Sequence, residues 1–306
     1  MSIDAKVVKD LRDRTGAGMM DCKKALSEAE GDLDRAITIL REKGLAGASK
    51  KSGRVAAEGL VGIFVGDGAK SAVLLELNCE TDFVAKTDPF KAILETLGTA
   101  LLAADVSEGT GESVANLQVA GGKTIGDVLK ESIANTGENI TLRRFARYAS
   151  GEGIVGAYTH GGGKIGVIVE LTGGDARHEE LAKSLGMQVA AAFPRYVSRD
   201  QVAASDLTAE REIFRQQAIA SGKPEKIVEK IVDGKIEKFY SEICLLEQEY
   251  VRDSDLRVDK LVAQAAKETG TTLAVARFSR FQLGEGIEKK QSNLAEEVAQ
   301  TIGQSA

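Results

Sequence analysis

Over residues 1–44 apolar positions recur at helical spacing in three groups: Val7, Val8 and Leu11; Met19, Met20 and Leu26; Leu33, Ala36, Ile37 and Leu40. Glycines punctuate them. Gly16 and Gly18 break the first group from the second, Gly31 ends the second, Asp32 can cap the third and Gly44 can close it. A three-helix bundle is predicted. Residues 45–55 (LAGASKKSGRV) lose the periodicity and read as a flexible basic linker, which makes them the expected domain boundary.

Past the linker the chain repeats itself. EGLVGIFVGDGAKSAVLLEL at 58–77 aligns without a gap on EGIVGAYTHGGGKIGVIVEL at 152–171, and nine of twenty positions are identical. In each copy an apolar run, a Gly-rich turn and a Val, Leu or Ile run follow in order, as in a β-hairpin. A helix is expected after each hairpin: Pro89 to about Ala104, started by Thr87, Asp88 and Pro89, and Glu179 to Ala192, ended by Pro194. Arg144, Phe145, Arg147 and Tyr148 then find counterparts in Arg277, Phe278, Arg280 and Phe281, each set in an alternating segment that predicts a third strand. The expected class is α+β with mainly antiparallel sheets, built from a core subdomain at 56–150 and a second at 151–195 and 251–282. Each unit is small, so the two are expected to pack together.

The second unit is interrupted by residues 196–250, where Gly222, Lys223 and Pro224 separate two helical runs. This insert reads as a helical hairpin. Its second arm carries Ile227, Val228, Ile231, Val232, Ile236, Phe239 and Tyr240 in a stripe, to be buried on the core, on the first arm or on another protein. Residues 283–306 read as a C-terminal tail that includes an amphipathic stretch from Leu294 to Ile302.

Composition narrows the function classes. With 306 residues, 43% of them hydrophobic, ordinary packed cores are affordable, and a net charge of −6 argues against a nucleic-acid backbone as the main partner. Cys22, Cys79 and Cys244 lack paired spacing and suggest small core residues in a reducing cytoplasm, while no apolar stretch is long enough for a signal or a membrane span. Gly122, Lys123 and Thr124 end like a phosphate-binding loop, but Leu117 stands where the first glycine belongs. Gly151, Gly153 and Gly156, and Gly161, Gly163 and Gly166, have dinucleotide spacing yet lead into strand-like sequence, so they read as hairpin glycines. The two histidines, His160 and His178, are not spaced as a metal set with acids or cysteines. Arg143, Arg144 and Arg147 beside Phe145 and Tyr148 raise an RNA-binding strand as the alternative reading, although alternation puts Arg144 and Phe145 on opposite faces.

Asn78 to Lys86 (NCETDFVAK) connects the first hairpin to its helix and places Phe83 among acids in a connecting segment. The residues alone leave two placements for its ring: turned back into the core to staple the helix start, or presented to a partner. TDFVAK at 81–86 and LRDRTGAGMMDCKKAL at 11–26, followed in order by TGENITLRR at 136–144, the His160 turn, SGKP at 221–224 and RFQLGEGIEK at 280–289, resemble the elongation factor Ts family across nearly the whole chain. The resemblance implies a ubiquitin-associated-like N-terminal bundle, two core subdomains, a dimerisation hairpin and a C-terminal module. It implies a protein that is no enzyme and has no cofactor or metal of its own, and that promotes GDP release from elongation factor Tu. Thr81, Asp82, Phe83 and Val84 would then enter the G domain of that partner and dislocate its Mg²⁺, with Phe83 as the wedge. Arg12, Met19 and Met20 would touch the same domain, and Gly137 and His160 match further contact positions. A homodimer and a partner-mediated heterotetramer both stay open.

Overall fold

The computed structural model describes residues 4–288, the side chains of 45–50 aside. Leu294–Ile302 lies outside the described residues. Three helices open the chain: α1 (Ala5–Thr15), α2 (Met19–Glu28) and α3 (Leu33–Lys51). Asp4 caps α1 by accepting the Lys6 N–H at 2.9 Å, Gly16 ends it in the left-handed region, and the Asp32 carboxylate accepts the Arg35 N–H at 3.0 Å to start α3. Val8, Leu11, Cys22, Ala25, Leu26 and Ala36 form the buried centre.

Gly44 does not close the third helix. The helix runs on through Lys51, across much of the expected linker, and a Cβ on Gly44 would come within 2.8 Å of the Ala134 Cβ. The glycine therefore serves close approach between α3 and the core, a use that periodicity does not register.

Next come β1 (Glu58–Val65), β2 (Ser71–Cys79), the single turn α4 (Asp82–Ala85), α5 (Asp88–Ala103), β3 (Glu108–Gly109), α6 (Ile125–Thr136) and β4 (Thr141–Ala149). Then follow β5 (Gly153–His160), β6 (Ile165–Thr172), α7 (Glu179–Ala192), α8 (Ala204–Ala220), α9 (Glu225–Ile243), β7 (Glu249–Tyr250), β8 (Asp253–Arg257), α10 (Val258–Thr269) and β9 (Ala274–Gln282). One main sheet has the order β1-β2-β4-β3 and the other β5-β6-β9, with antiparallel pairing throughout both, while β7 and β8 pair separately as a two-stranded ribbon. The repeat goes deeper than its hairpins. Both units break register at the same place, between Glu76 and Leu77 and between Glu170 and Leu171, and both carry a helix before the last strand, α6 and α10, that the expected hairpin, helix and third strand leave out.

The two sheets lie face to face. The Val61 N–H donates to the Gly163 carbonyl at 2.7 Å, and Val61, Ala72, Leu74, Ala146, Tyr148, Val155 and Ile168 form the layer between them. α5 and α6 cover the outer face of the first sheet through Phe90, Leu97, Leu101, Ile125 and Ile133, while α7 and α10 cover the second through Ala182, Leu185, Val189, Val258 and Val262. The central strands thus lack a solvent face, which explains their unbroken apolar runs. Each fully buried leucine of β2 contributes about 2 kcal/mol of transfer free energy.

The two buried carboxylates of that interior are paired. The Glu76 carboxylate takes the Arg143 guanidinium at 3.0 Å, Arg144 at 2.7 Å and the Gly284 N–H at 2.8 Å. Glu170, its counterpart, takes Arg277 at 2.7 Å. Two of these arginines also reach the other sheet: Arg144 stacks on Phe281 at 4.3 Å and Arg277 on Tyr148 at 4.0 Å.

The insert is a two-helix hairpin, α8 and α9, and its stripe turns inward. Val228, Val232 and Ile236 pack on Ala218, Leu207 and Phe214 of the first arm, and Phe239 packs near Tyr196 and Cys244 at the root; Ile227 stays exposed.

Two predictions follow from burial. Glu76→Ala, which strands two arginines, should destabilise the chain by about 3 kcal/mol, measured as a lowered urea midpoint. The Cys79 thiol is pushed up to about 12, chiefly by burial. It should resist iodoacetamide at pH 8 in the folded protein and react once the chain is unfolded in guanidinium.

Candidate functional site

At its C-terminal end β2 hands over to the segment that carries Phe83. The Cys79 thiol donates to the Thr81 carbonyl at 3.1 Å, and the Thr81 hydroxyl caps α4 by accepting the Val84 N–H at 3.3 Å. A second threonine repeats the device. Thr87 caps α5 by accepting the Phe90 N–H at 3.4 Å, and its own hydroxyl donates back to the Val84 carbonyl at 2.7 Å. The two caps give two short steps with opposite fates for their aromatics. Phe90 is fully buried, whereas Phe83 is 79% exposed.

The alternative of a ring turned back into the core is thereby overturned. Val84 and Ala85 take the inward positions of α4, against the core that Phe90 and Leu97 help to build, and the turn leaves Asp82 and Phe83 outside. Asp82 pairs with Lys86 one turn on, at 2.5 Å, and the hydrogen bond from that ammonium holds its carboxyl below the usual range. The result is an exposed aromatic beside an ion pair, on a backbone pinned at both ends.

The other expected contact residues are placed separately. Met19 and Met20 lie at the start of α2 with 45% and 62% of their surface exposed, because Cys22, Ala25 and Leu26 take that helix's core side. Arg12, late in α1, is exposed too. Gly137 is the left-handed C-cap of α6, with φ of 79°. It adjoins the Phe83 segment through Glu138, whose carboxylate accepts the Thr81 hydroxyl at 2.6 Å. Motif spacing does not single out Glu138; its signals are an acid placed just after a helix-ending glycine and its place inside the TGENITLRR run. His160 ends β5, stacked on Tyr158 with ring centroids 6.2 Å apart and bonded to its hydroxyl at 3.3 Å.

Other chemistries find little footing. In the phosphate-loop look-alike Thr124 is the N-cap of α6, in a reciprocal box with Asp127, and Lys123 pairs with Glu131. Gly161, Gly162 and Gly163 all have positive φ in the β5–β6 turn, as hairpin glycines do. The arginines of the RNA alternative are engaged internally: Arg143 and Arg144 by Glu76, and Arg147 by the Leu102 carbonyl at 3.0 Å, while Phe145 and Tyr148 are buried. A cleft of about 640 Å³ between the bundle and α6 is lined by Arg14, Lys24, Arg41, Lys51 and Lys130. It is basic, and none of the Thr81–Val84 residues lines it. Among the described residues no group of three or more His, Cys, Asp or Glu gathers as a metal set, and no helix is long and apolar enough to cross a membrane.

Comparison with known proteins agrees in one direction. Residues 80–285 match the family described as Elongation factor TS. The chain is 51% identical over 303 residues to the elongation factor Ts of Clostridium botulinum (strain Alaska E43 / Type E3), covering 98% of this chain and 99% of that one. It is 50% identical over 305 residues to that of Clostridium acetobutylicum, covering 99% of each, and 48% identical over 303 residues to that of Clostridium perfringens (strain SM101 / Type A), covering 98% and 99%. With the corner at Thr81–Val84 lying inside the matched region, the chain belongs to the elongation factor Ts family.

Proposed function

We propose that this chain is a guanine nucleotide exchange factor that binds GDP-loaded elongation factor Tu and speeds GDP release and GTP loading during translation elongation. The observation that carries the reading is the exposure of Phe83, 79% free at the outer edge of a doubly capped turn. An exposed aromatic on a rigid mount can enter an apolar crevice of a partner with little ordering cost.

In this reading Thr81, Asp82, Phe83 and Val84 enter the G domain and dislocate its Mg²⁺. Arg12, Met19 and Met20 make a second contact with the same domain, and Gly137 and His160 contribute at the periphery. GDP is held by donors around its phosphates and by Mg²⁺, so a wedge that shifts those groups lowers its affinity without covalent chemistry. Coupling between the two sites is reciprocal. Nucleotide must weaken the hold of this protein by the same factor, and rebinding of nucleotide releases it for another round. We further assign residues 1–44 to a partner-binding bundle, 56–150 and 151–195 with 251–282 to the two core subdomains, and α8–α9 to a dimerisation element, direct or partner-mediated.

Stopped-flow release of fluorescent GDP from elongation factor Tu tests this. The wild-type chain should accelerate release, and Phe83→Ala should cut the catalysed rate by about 30-fold, the scale of an aromatic hot spot. Absence of acceleration by wild type overturns the function; equal acceleration by both proteins removes Phe83 from the mechanism. Met20→Ala should cost less, about threefold, and should raise the concentration needed for half-maximal effect with little change in the maximal rate.

A further inference from the structure

Phe83 is four-fifths exposed, so packing cannot aim its ring; its direction is inherited from the backbone before it. Two consecutive N–H groups of that backbone are gripped by a single side chain. Glu138 accepts the Glu80 N–H at 3.1 Å and the Thr81 N–H at 3.0 Å on one carboxylate oxygen, and the Thr81 hydroxyl at 2.6 Å on the other. Since the Thr81 hydroxyl gives its proton to Glu138, a lone pair is left facing the Val84 N–H, which it accepts at 3.3 Å. One carboxylate thus fixes two peptide groups and sets the polarity of the cap that starts the helix bearing Phe83.

The grip is mutual. The Glu80 carboxylate accepts the Asn139 N–H at 2.7 Å and lies 3.4 Å from the Arg54 guanidinium. The Asn139 side-chain amide donates to the Arg54 carbonyl at 2.7 Å and to the Ser52 carbonyl at 3.3 Å, just past the end of α3. Two acids therefore exchange hydrogen bonds with each other's neighbouring backbone, and Asn139 extends the brace to the exit of the N-terminal bundle. Glu138 owes its own placement to Gly137, whose left-handed conformation turns the chain at the end of α6 and whose N–H returns to the Ile133 carbonyl at 3.0 Å.

We propose that Glu138 is a positioning residue for the exchange reaction: it does not touch the partner's nucleotide site but orients the Thr81–Val84 turn, and with Glu80, Asn139 and Arg54 it holds that turn in a fixed relation to the bundle exit. The proposal rests on the exchange-factor reading. It assigns to Gly137 a backbone role besides any contact of its own, because a side chain there would meet the strain of a positive φ and displace the carboxylate that follows.

The test is a double-mutant cycle on the full chain, read by release of fluorescent GDP from elongation factor Tu, with backbone amide exchange at Phe83 and Val84 followed by NMR in the free protein. Glu138→Ala should lower the maximal release rate about tenfold and speed amide exchange at Val84, while in a Phe83→Ala background the same change should cost less than about twofold. Glu138→Gln keeps the volume and an acceptor oxygen but loses the charge; it should fall between, and it serves if the alanine variant unfolds. A merely structural role would move the urea midpoint and leave the losses additive. Additive losses, or unchanged Val84 exchange in Glu138→Ala, overturn the proposal. If the wild-type chain fails to accelerate release, the exchange reading falls, and amide exchange still decides whether Glu138 holds the turn.

Discussion

Glu76 and Glu170 occupy the same place in the two halves of the core, each buried beside an arginine of the strand next to it. A carboxylate withdrawn from water must be matched by a cation. Arg144 and Arg277 supply the match and also lie across an aromatic ring of the opposite sheet, Phe281 and Tyr148. The Tyr148 hydroxyl completes the crossing by meeting Ser279 at 2.7 Å. Each half therefore finishes its charge pairing on the surface of the other. The sheets cannot separate without exposing apolar surface and breaking both stackings together.

That interlock gives the Phe83 corner its foundation. β2 is pinned on one face by the second sheet and on the other by α5, so the strand end at Cys79 is among the most constrained points of the chain. The chain leaves this anchor and turns within two residues into a capped helical step. The loop is short and its Glu80 and Thr81 N–H groups are bonded to Glu138, so the aromatic at its edge is held by local geometry.

Much of this could be read from residues alone, for identifiable reasons. The repeat at 58–77 and 152–171 announced two hairpins because strand periodicity survives in both copies, and the stripe of α9 announced a helix pair because its apolar spacing is regular. What stayed hidden depended on tertiary neighbours. α6 has a moderately apolar face interrupted by polar residues, and its start is marked by a capping box between Thr124 and Asp127 inside a Gly-rich stretch that looks like loop. Gly44 has the look of a helix end, and its use in close packing appears only once Ala134 lies against it. The exposure of Phe83 was not decidable from spacing either, because TDF and TDPF are near-identical starts whose rings go opposite ways. Family resemblance pointed at that segment, but Glu138 became visible only when residues 58 positions apart were brought together.

The duplicated fold offers a comparison inside one molecule. At the offset that aligns Glu76 with Glu170, Thr81 corresponds to Asp175, Phe83 to Arg177 and Val84 to His178. Asp175 caps its short turn as Thr81 caps α4, His178 is buried as Val84 is partly buried, and Arg177 projects outward as Phe83 does. There the guanidinium folds back on the Asp175 carboxylate at 2.6 Å. Outward projection is thus a property of the turn, shared by both copies, while reach beyond the surface depends on whether the projecting group can satisfy itself at home. Arginine can, through its neighbour's charge. A phenyl ring cannot, and at Phe83 the same turn leaves an apolar group facing solvent.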